Sequence, residues 1–181
     1  MVGLLSGPLL IISLVSPWWV LNGDDGATST TTKTLLVPPK IATLSSSSDV
    51  LGGDISQLPG EVTMVLGLLS LLIIISSLII FITIFSKNKF RKTTALLSVL
   101  SVLLLIVTIS IFLYAMSMLT EVGVGNFIGS GDLDTSFPGL AENKILPSNW
   151  GPGIGFYLGV IGVVILAIVS LQKKITARFS R

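Results

Sequence analysis

Two pairs of closely spaced carboxylates are the first candidates for chemistry in this sequence. Asp24 and Asp25 lie in an Asn-Gly-Asp-Asp-Gly run, and Asp132 and Asp134 lie in a second glycine-rich stretch. Paired carboxylates can act as general acid and base, or as oxygen ligands for a hard cation. Neither spacing matches a calcium-binding loop, and runs of this composition favour solvated turns. We therefore interpret both pairs as turn residues and predict no catalytic residue and no metal site.

The residue types that most often perform catalysis are missing from the chain. It has no cysteine and no histidine among its 181 residues. This composition excludes thiol catalysis, disulfides, thiolate metal sites and the commonest general base. No glycine-rich nucleotide motif follows a predicted strand. We expect no cofactor and no enzymatic activity, and we expect the protein to function through contacts.

The overall composition is that of a membrane protein. Hydrophobic residues make up 51% of the chain and charged residues 11%, with a mean hydropathy of +0.93. Soluble domains carry about 25% charged residues. The partner that this composition predicts is therefore a lipid bilayer, and we expect no binding to nucleic acid.

Long uncharged runs predict transmembrane helices, which position the other segments of the chain. The runs 62–86 and 93–120 each exceed the ~20 apolar residues that span a bilayer, and they flank a short basic sequence. Residues 1–20 lack the basic start and cleavage site of a signal peptide, so we expect them to remain as a first span. The predicted fold class is an all-α integral membrane protein, a four-transmembrane-helix bundle with a small extracellular β-sheet from loop one. The predicted transmembrane helices are 1–20, 61–86, 93–120 and 150–172, separated by an outer loop 21–60, a basic loop 87–92 and an outer loop 121–149, with a basic tail 173–181.

The charges are sorted between the predicted segments. Loops 21–60 and 121–149, with Glu61, hold all nine acidic residues. Eight of the eleven Lys and Arg residues lie in the basic loop 87–92 and the basic tail 173–181. Basic residues in short loops remain in the cytoplasm, which places both termini there in a multi-pass plasma-membrane protein. These cations either only set the topology or also contact anionic lipid headgroups. They are Lys87, Lys89, Arg91, Lys92, Lys173, Lys174, Arg178 and Arg181.

Small residues recur at helical spacing in the first and last predicted spans. Gly3 and Gly7 form one pair, and Gly151, Gly155 and Gly159 form a longer ridge. Such ridges let two helix backbones approach closely. The ridge predicts either packing inside the bundle or self-association between protomers.

Aromatic residues mark the predicted span ends. Trp18, Trp19, Trp150 and Tyr157 are candidate membrane-interface residues, because an aromatic ring with a polar group is stable at the headgroup level. A Trp18-Trp19 pair that holds the following loop against the bundle is the alternative.

The outer loops carry further signals. Stretches 28–37 and 40–44 are β-prone, although a disordered, O-glycosylated Ser/Thr-rich loop is the alternative. Phe127, Phe137 and Leu140 in loop two either pack on loop one or form a patch for a partner.

This layout resembles the claudin-like tetraspan superfamily. The similar parts are Ser16-Pro17-Trp18-Trp19, the strand-like stretch 28–44 and the sequence 150–159. The family's first-loop Gly-Leu-Trp signature with two cysteines is absent here. The resemblance implies four helices, a β-stranded first outer loop and a structural or adhesion role. The alternatives are an accessory subunit of a larger membrane complex, such as a respiratory or oxidase assembly, and a viral or cell-envelope membrane protein.

Overall fold

The computed structural model describes residues 3–24, 26, 29–45, 53–54, 60–85, 91–117, 126–133 and 146–179. These residues form four helices and six strands. The helices are α1 (Gly3–Val15), α2 (Gly60–Phe85), α3 (Arg91–Ser117) and α4 (Ile154–Phe179). The strands are β1 (Trp19–Asp24), β2 (Ser29–Leu35), β3 (Lys40–Ser45), β4 (Gly53–Asp54), β5 (Gly129–Leu133) and β6 (Leu146–Pro152).

The predicted all-α class was wrong, because the described strands join into one six-stranded antiparallel sheet in the order β4-β3-β2-β1-β6-β5. Loop one supplies four of these strands and loop two supplies β5 and β6. β6 pairs with β1, with Leu21 opposite Trp150, so the strands of the two loops are hydrogen-bonded to each other. The sheet is a joint product of both outer loops rather than a feature of loop one.

The second loop forms strands because its pattern has a period of two. Leu146, Ser148 and Trp150 are buried, while Pro147 and Asn149 between them are exposed. Alternation of this kind places one set of side chains on each face of a strand. The prolines and glycines on either side of this strand are typical of loops and helix starts. For this reason Trp150 was predicted to begin the fourth transmembrane helix. The helix begins at Ile154 instead.

Among the described residues, three helices are long and apolar enough to cross a membrane: Glu61–Thr83, Thr93–Ser117 and Ile154–Gln172. This finding is consistent with a membrane protein. α1 has 13 residues where 1–20 was predicted, and at 1.5 Å per residue it reaches about 20 Å, less than the ~30 Å of hydrocarbon.

The bundle has two unlike ends. β1 follows α1, β6 leads into α4, and Phe127 before β5 contacts Phe112 near the end of α3. α3 begins shortly after α2 ends, and the two helices pack together as antiparallel neighbours. The sheet therefore lies where α1 and α3 end and where α2 and α4 begin. We call this the sheet end, and we call the opposite end the basic end.

Several hydroxyl side chains inside the bundle bond to carbonyls of their own helices. Ser76 Oγ donates to the Leu72 carbonyl at 2.8 Å, and Thr108 Oγ1 donates to the Leu104 carbonyl at 2.8 Å. Such back-bonding satisfies a hydroxyl without a polar partner from another helix. These bonds explain how small polar residues fit an apolar interior, and they give no support to a polar transport path.

Candidate contact sites

The Trp18 ring closes the carboxyl end of α1. Its indole Nε1 donates to the Ser13 carbonyl at 2.8 Å, and the ring is 1% exposed. The last carbonyls of a helix lack partners within it and need outside donors. Val37 N supplies another, to the Leu14 carbonyl at 3.2 Å. Trp18 was predicted at the membrane interface, and the structure places it inside the protein, where it joins the loop to the bundle.

The amino end of α4 is held by the same segment. Gly155 N donates to the Pro17 carbonyl at 2.8 Å, and Gly153 N donates to the Trp18 carbonyl at 3.0 Å. The first N–H groups of a helix also lack internal partners. One short segment thus supplies acceptors to α4 while its indole supplies a donor to α1, so the two helix ends are fixed against each other.

An aromatic cluster surrounds this junction. The Trp18 ring lies edge-on to Phe112 of α3, with centroids 5.0 Å apart, and edge-on to Phe156 of α4 at 5.9 Å. Phe127, which precedes β5, contacts Phe156 at 5.4 Å. Edge-on geometry and these distances are the favourable arrangements for aromatic pairs. The cluster connects α3, α4 and both outer loops, so the Phe127 ring, which was predicted to pack on loop one, packs on helices α3 and α4 instead, and its carbonyl accepts a hydrogen bond from Trp19.

The other two tryptophans belong to the sheet. Trp19 Nε1 donates to the Phe127 carbonyl at 3.1 Å, and Trp150 Nε1 donates to the Asn126 carbonyl at 2.8 Å. A side chain on Gly129 would meet the Trp150 ring at 2.9 Å, so this ring lies on bare backbone. Both rings are buried although they were predicted at a membrane interface. Tyr157 is the one member of that predicted set that is half exposed.

A glycine face on α4 receives α1. An added Cβ on Gly155 would meet the Ser16 carbonyl oxygen at 2.6 Å, and one on Gly159 would meet Ser13 Oγ at 3.2 Å. Gly162 continues the face, with Leu10 Cδ2 at 3.1 Å from the added Cβ. The sequence ridge ended at Gly159 and missed Gly162, which its spacing of three from Gly159 on a helix could have identified.

The remaining predicted packing glycines lie elsewhere. Gly151 is in β6, where an added Cβ would meet Ile128 at 3.7 Å, an ordinary contact. Gly7 of α1 has no described atom within 4 Å of an added Cβ. Gly3 is the first residue of α1.

The outward face of the sheet carries a polar row. Thr31, Asn22, Asn149 and Ser130 are directly opposite one another on β2, β1, β6 and β5. Residues opposite each other in an antiparallel pair share a face. Thr31 Oγ1 donates to Asn22 Oδ1 at 3.0 Å, and Asn22, Asn149 and Ser130 are exposed. We call these four residues the amide row.

The acidic candidates are exposed at one edge of the same face. Asp24 ends β1 and accepts a hydrogen bond from Gly26 N at 2.8 Å, and Asp132 of β5 is opposite Pro147. No group of three or more metal-ligating side chains occurs among the described residues. Asp25 and Asp134 lie outside the described residues, as do Phe137 and Leu140.

The predicted basic residues are distributed around the basic end. Arg91 and Lys92 begin α3, and Lys173, Lys174 and Arg178 lie in the last turns of α4. Lys87, Lys89 and Arg181 lie outside the described residues. Every described acidic residue, by contrast, lies in the sheet or at Glu61 in the first turn of α2.

Comparison with protein-family models, curated proteins and solved structures found no match for this chain. The function therefore has to be argued from these contacts and from the distribution of charge.

Proposed function

We propose that this protein is a non-enzymatic, multi-pass membrane protein that presents its sheet outside the cell as a contact surface. The observation that carries the proposal is the covalent and hydrogen-bonded union of the sheet with the bundle. Three of the four described helices have membrane-spanning length, and the Trp18 junction fixes the sheet to their ends.

The distribution of basic residues supports a sheet that faces out of the cell. The end away from the sheet carries Arg91, Lys92, Lys173, Lys174 and Arg178, and basic segments of this kind are retained in the cytoplasm. The sheet then faces outward, with both chain termini inside the cell. A plasma-membrane location and a claudin-like arrangement belong to this proposal.

The amide row supplies the contact chemistry. Amide and hydroxyl groups both donate and accept hydrogen bonds, so a row across four strands offers a partner many directional bonds. The partner that this surface suits is a protein with a polar face, in the same or a neighbouring membrane, including a second copy of this chain.

The test is aggregation of vesicles that contain the full chain. Vesicles with the wild-type protein should aggregate with each other, or with vesicles carrying a captured partner. An Asn22→Ala/Asn149→Ala variant should lose about 1 kcal/mol of binding free energy per lost bond, or roughly 30-fold in affinity for the pair. A Thr93→Ala/Ser110→Ala variant, which removes two exposed polar groups from α3, is the matched control. Equal aggregation by the two variants would contradict the proposal.

A role as accessory subunit of a larger membrane complex is supported by the length of α1. The Ser6 carbonyl, near the start of α1, lies close to Gly162 of α4. α4 continues beyond that level to Phe179, where α1 no longer accompanies it. The basic half of the bundle therefore leaves apolar side chains of α2 and α4 exposed, including Leu78, Phe81 and Ile168. Stoichiometric co-purification with other membrane subunits in a mild detergent would favour this second function, and purification of the chain alone would favour the first.

A further inference from the structure

An apolar groove runs between α3 and α4 on the membrane-exposed side of the bundle. Its volume is about 240 Å³. Each helix contributes residues with the i, i+3, i+4 spacing of one helix face. The lining residues are Val99, Val102, Leu103, Ala167, Ser170 and Leu171.

The polar group in the groove is already satisfied. Ser170 Oγ donates to the Leu166 carbonyl at 2.7 Å and is hydrogen-bonded to Ser98 Oγ. The groove therefore offers only apolar contact to a ligand. A hydrocarbon chain needs no polar partner, so an entirely apolar lining suits it.

Basic residues follow the groove along both helices in the direction of the basic end. Lys174 lies four residues beyond Ser170, about 6 Å along α4, and Arg91 lies seven residues before Ser98, about 10 Å along α3. Ser98 and Ser170 are in contact, so these helix ends are neighbours. Residues 91–92 of α3 and 173–174 of α4 therefore lie beyond the same end of the groove, and all four are Arg or Lys.

The chain supplies these cations with no carboxylate side chain nearby. Neither 62–120 nor 143–181 contains an Asp or a Glu, so α3, α4 and nearly all of α2 carry no acidic side chain. No acidic side chain of these segments can therefore neutralise the basic helix ends. Close to a membrane, anionic lipid headgroups are the species that cationic helix ends attract.

We propose that one anionic phospholipid binds here, with an acyl chain in the groove and its phosphate at the basic ends of α3 and α4. This site deepens the proposed function, since it requires a membrane around the bundle. It is independent of what the sheet contacts, because it lies at the opposite end of the molecule.

The test uses the full chain in a mild non-ionic detergent, with bound lipid counted by native mass spectrometry. Dioleoyl phosphatidylglycerol should bind at one copy per chain and at least about tenfold more tightly than dioleoyl phosphatidylcholine. Dihexanoyl phosphatidylglycerol, which keeps the headgroup and shortens the chains, should bind at least fivefold more weakly. Equal affinities for the two dioleoyl lipids, or for the long and short chains, would overturn the proposal.

Charge variants test the headgroup contact. Lys173→Gln/Lys174→Gln should weaken phosphatidylglycerol binding by about 30-fold, from about 1 kcal/mol per cation near an anionic surface. Lys33→Gln/Lys40→Gln removes the same charge from the sheet and should leave binding unchanged. Equal losses in both pairs would show that net charge alone attracts the lipid, and that result would overturn the site.

Groove variants test the acyl-chain contact. Ala167→Phe should fill the groove and abolish the advantage of long chains, while Val164→Phe, on an exposed position of α4 outside the groove, should keep it. Ala167→Leu makes the same test if the larger residue prevents folding. Unchanged binding in a folded Ala167 variant would overturn the proposal. Vesicle aggregation by these variants should stay at the wild-type level, so failure of the lipid site and failure of the sheet contact are distinguishable.

Discussion

Helix α4 packs differently on its two sides. Toward α1 it presents Gly155, Gly159 and Gly162, where an added Cβ would meet atoms of α1 or its following segment at 2.6 to 3.2 Å. Toward α3 it presents Ala167, Ser170 and Leu171, which line an open groove. Close-packed interfaces transmit strain and tolerate no added volume. The difference indicates that the half of α4 near the sheet holds a fixed geometry, while the half near the basic end leaves open space beside α3.

The largest effect should come from Trp18. Trp18→Ala removes a buried indole that bonds to α1 and contacts α3 and α4, so we expect a loss of about 3–5 kcal/mol in the free energy of unfolding. Tyr157→Ala, which removes a half-exposed aromatic side chain from α4, is the control and should cost less than about 1 kcal/mol. Denaturant unfolding in detergent measures both. Similar losses for the two variants would show that the junction does not hold the sheet to the bundle.

Graded losses should follow from alanine at three glycines. Gly155→Ala should cost about 1–3 kcal/mol, because its Cβ meets backbone oxygens that cannot rotate away. Gly159→Ala should cost less, because its nearest neighbour is the Ser13 hydroxyl, and Gly151→Ala should be nearly neutral. The midpoint temperatures of thermal unfolding, measured for the three variants, test this order of stability losses. Equal losses of stability at all three glycines would support the regular ridge predicted from the sequence. They would contradict the close contact at Gly155.

The smallest effect should come from the hydroxyl beside Gly159. Ser13 Oγ is buried and has no hydrogen-bond partner among the described residues. Removing an unpaired buried hydroxyl costs little and can stabilise a fold. Ser13→Ala should therefore change the unfolding free energy by less than about 1 kcal/mol, in the stabilising direction. A loss above 2 kcal/mol would mean that this hydroxyl has a partner in the membrane-embedded protein.

The helices could be predicted from the sequence because their signal is strong and local. Runs such as 62–86 and 93–120 carry no charge, and this feature alone indicates membrane-length helices. The β-prone character of 28–37 and 40–44 also indicated β2 and β3. The bounds of α1 and α4 were predicted less well, because Trp18, Trp19 and Trp150 are as apolar as the spans that they adjoin.

The joint sheet could not be predicted from local sequence. β1 and β6 are separated by more than 120 positions, and their pairing depends on the end of α1 lying beside the start of α4. Trp18 could be read as an interfacial ring because its type fits both a membrane surface and a buried junction. Its contacts with Ser13, Phe112 and Phe156 appear only in the folded protein. The α3–α4 groove likewise appears only once two distant segments are packed together.

The most direct test of the account is accessibility across the membrane. The chain has no cysteine, so single cysteines can be introduced at Ser130, an exposed sheet residue, and at Arg178 in the last turns of α4. A membrane-impermeant maleimide added to intact cells should label Ser130→Cys alone, and Arg178→Cys should react only after the membrane is opened. Labelling of both positions in intact cells, or of neither until the membrane is opened, would contradict an outward sheet and an inward basic end.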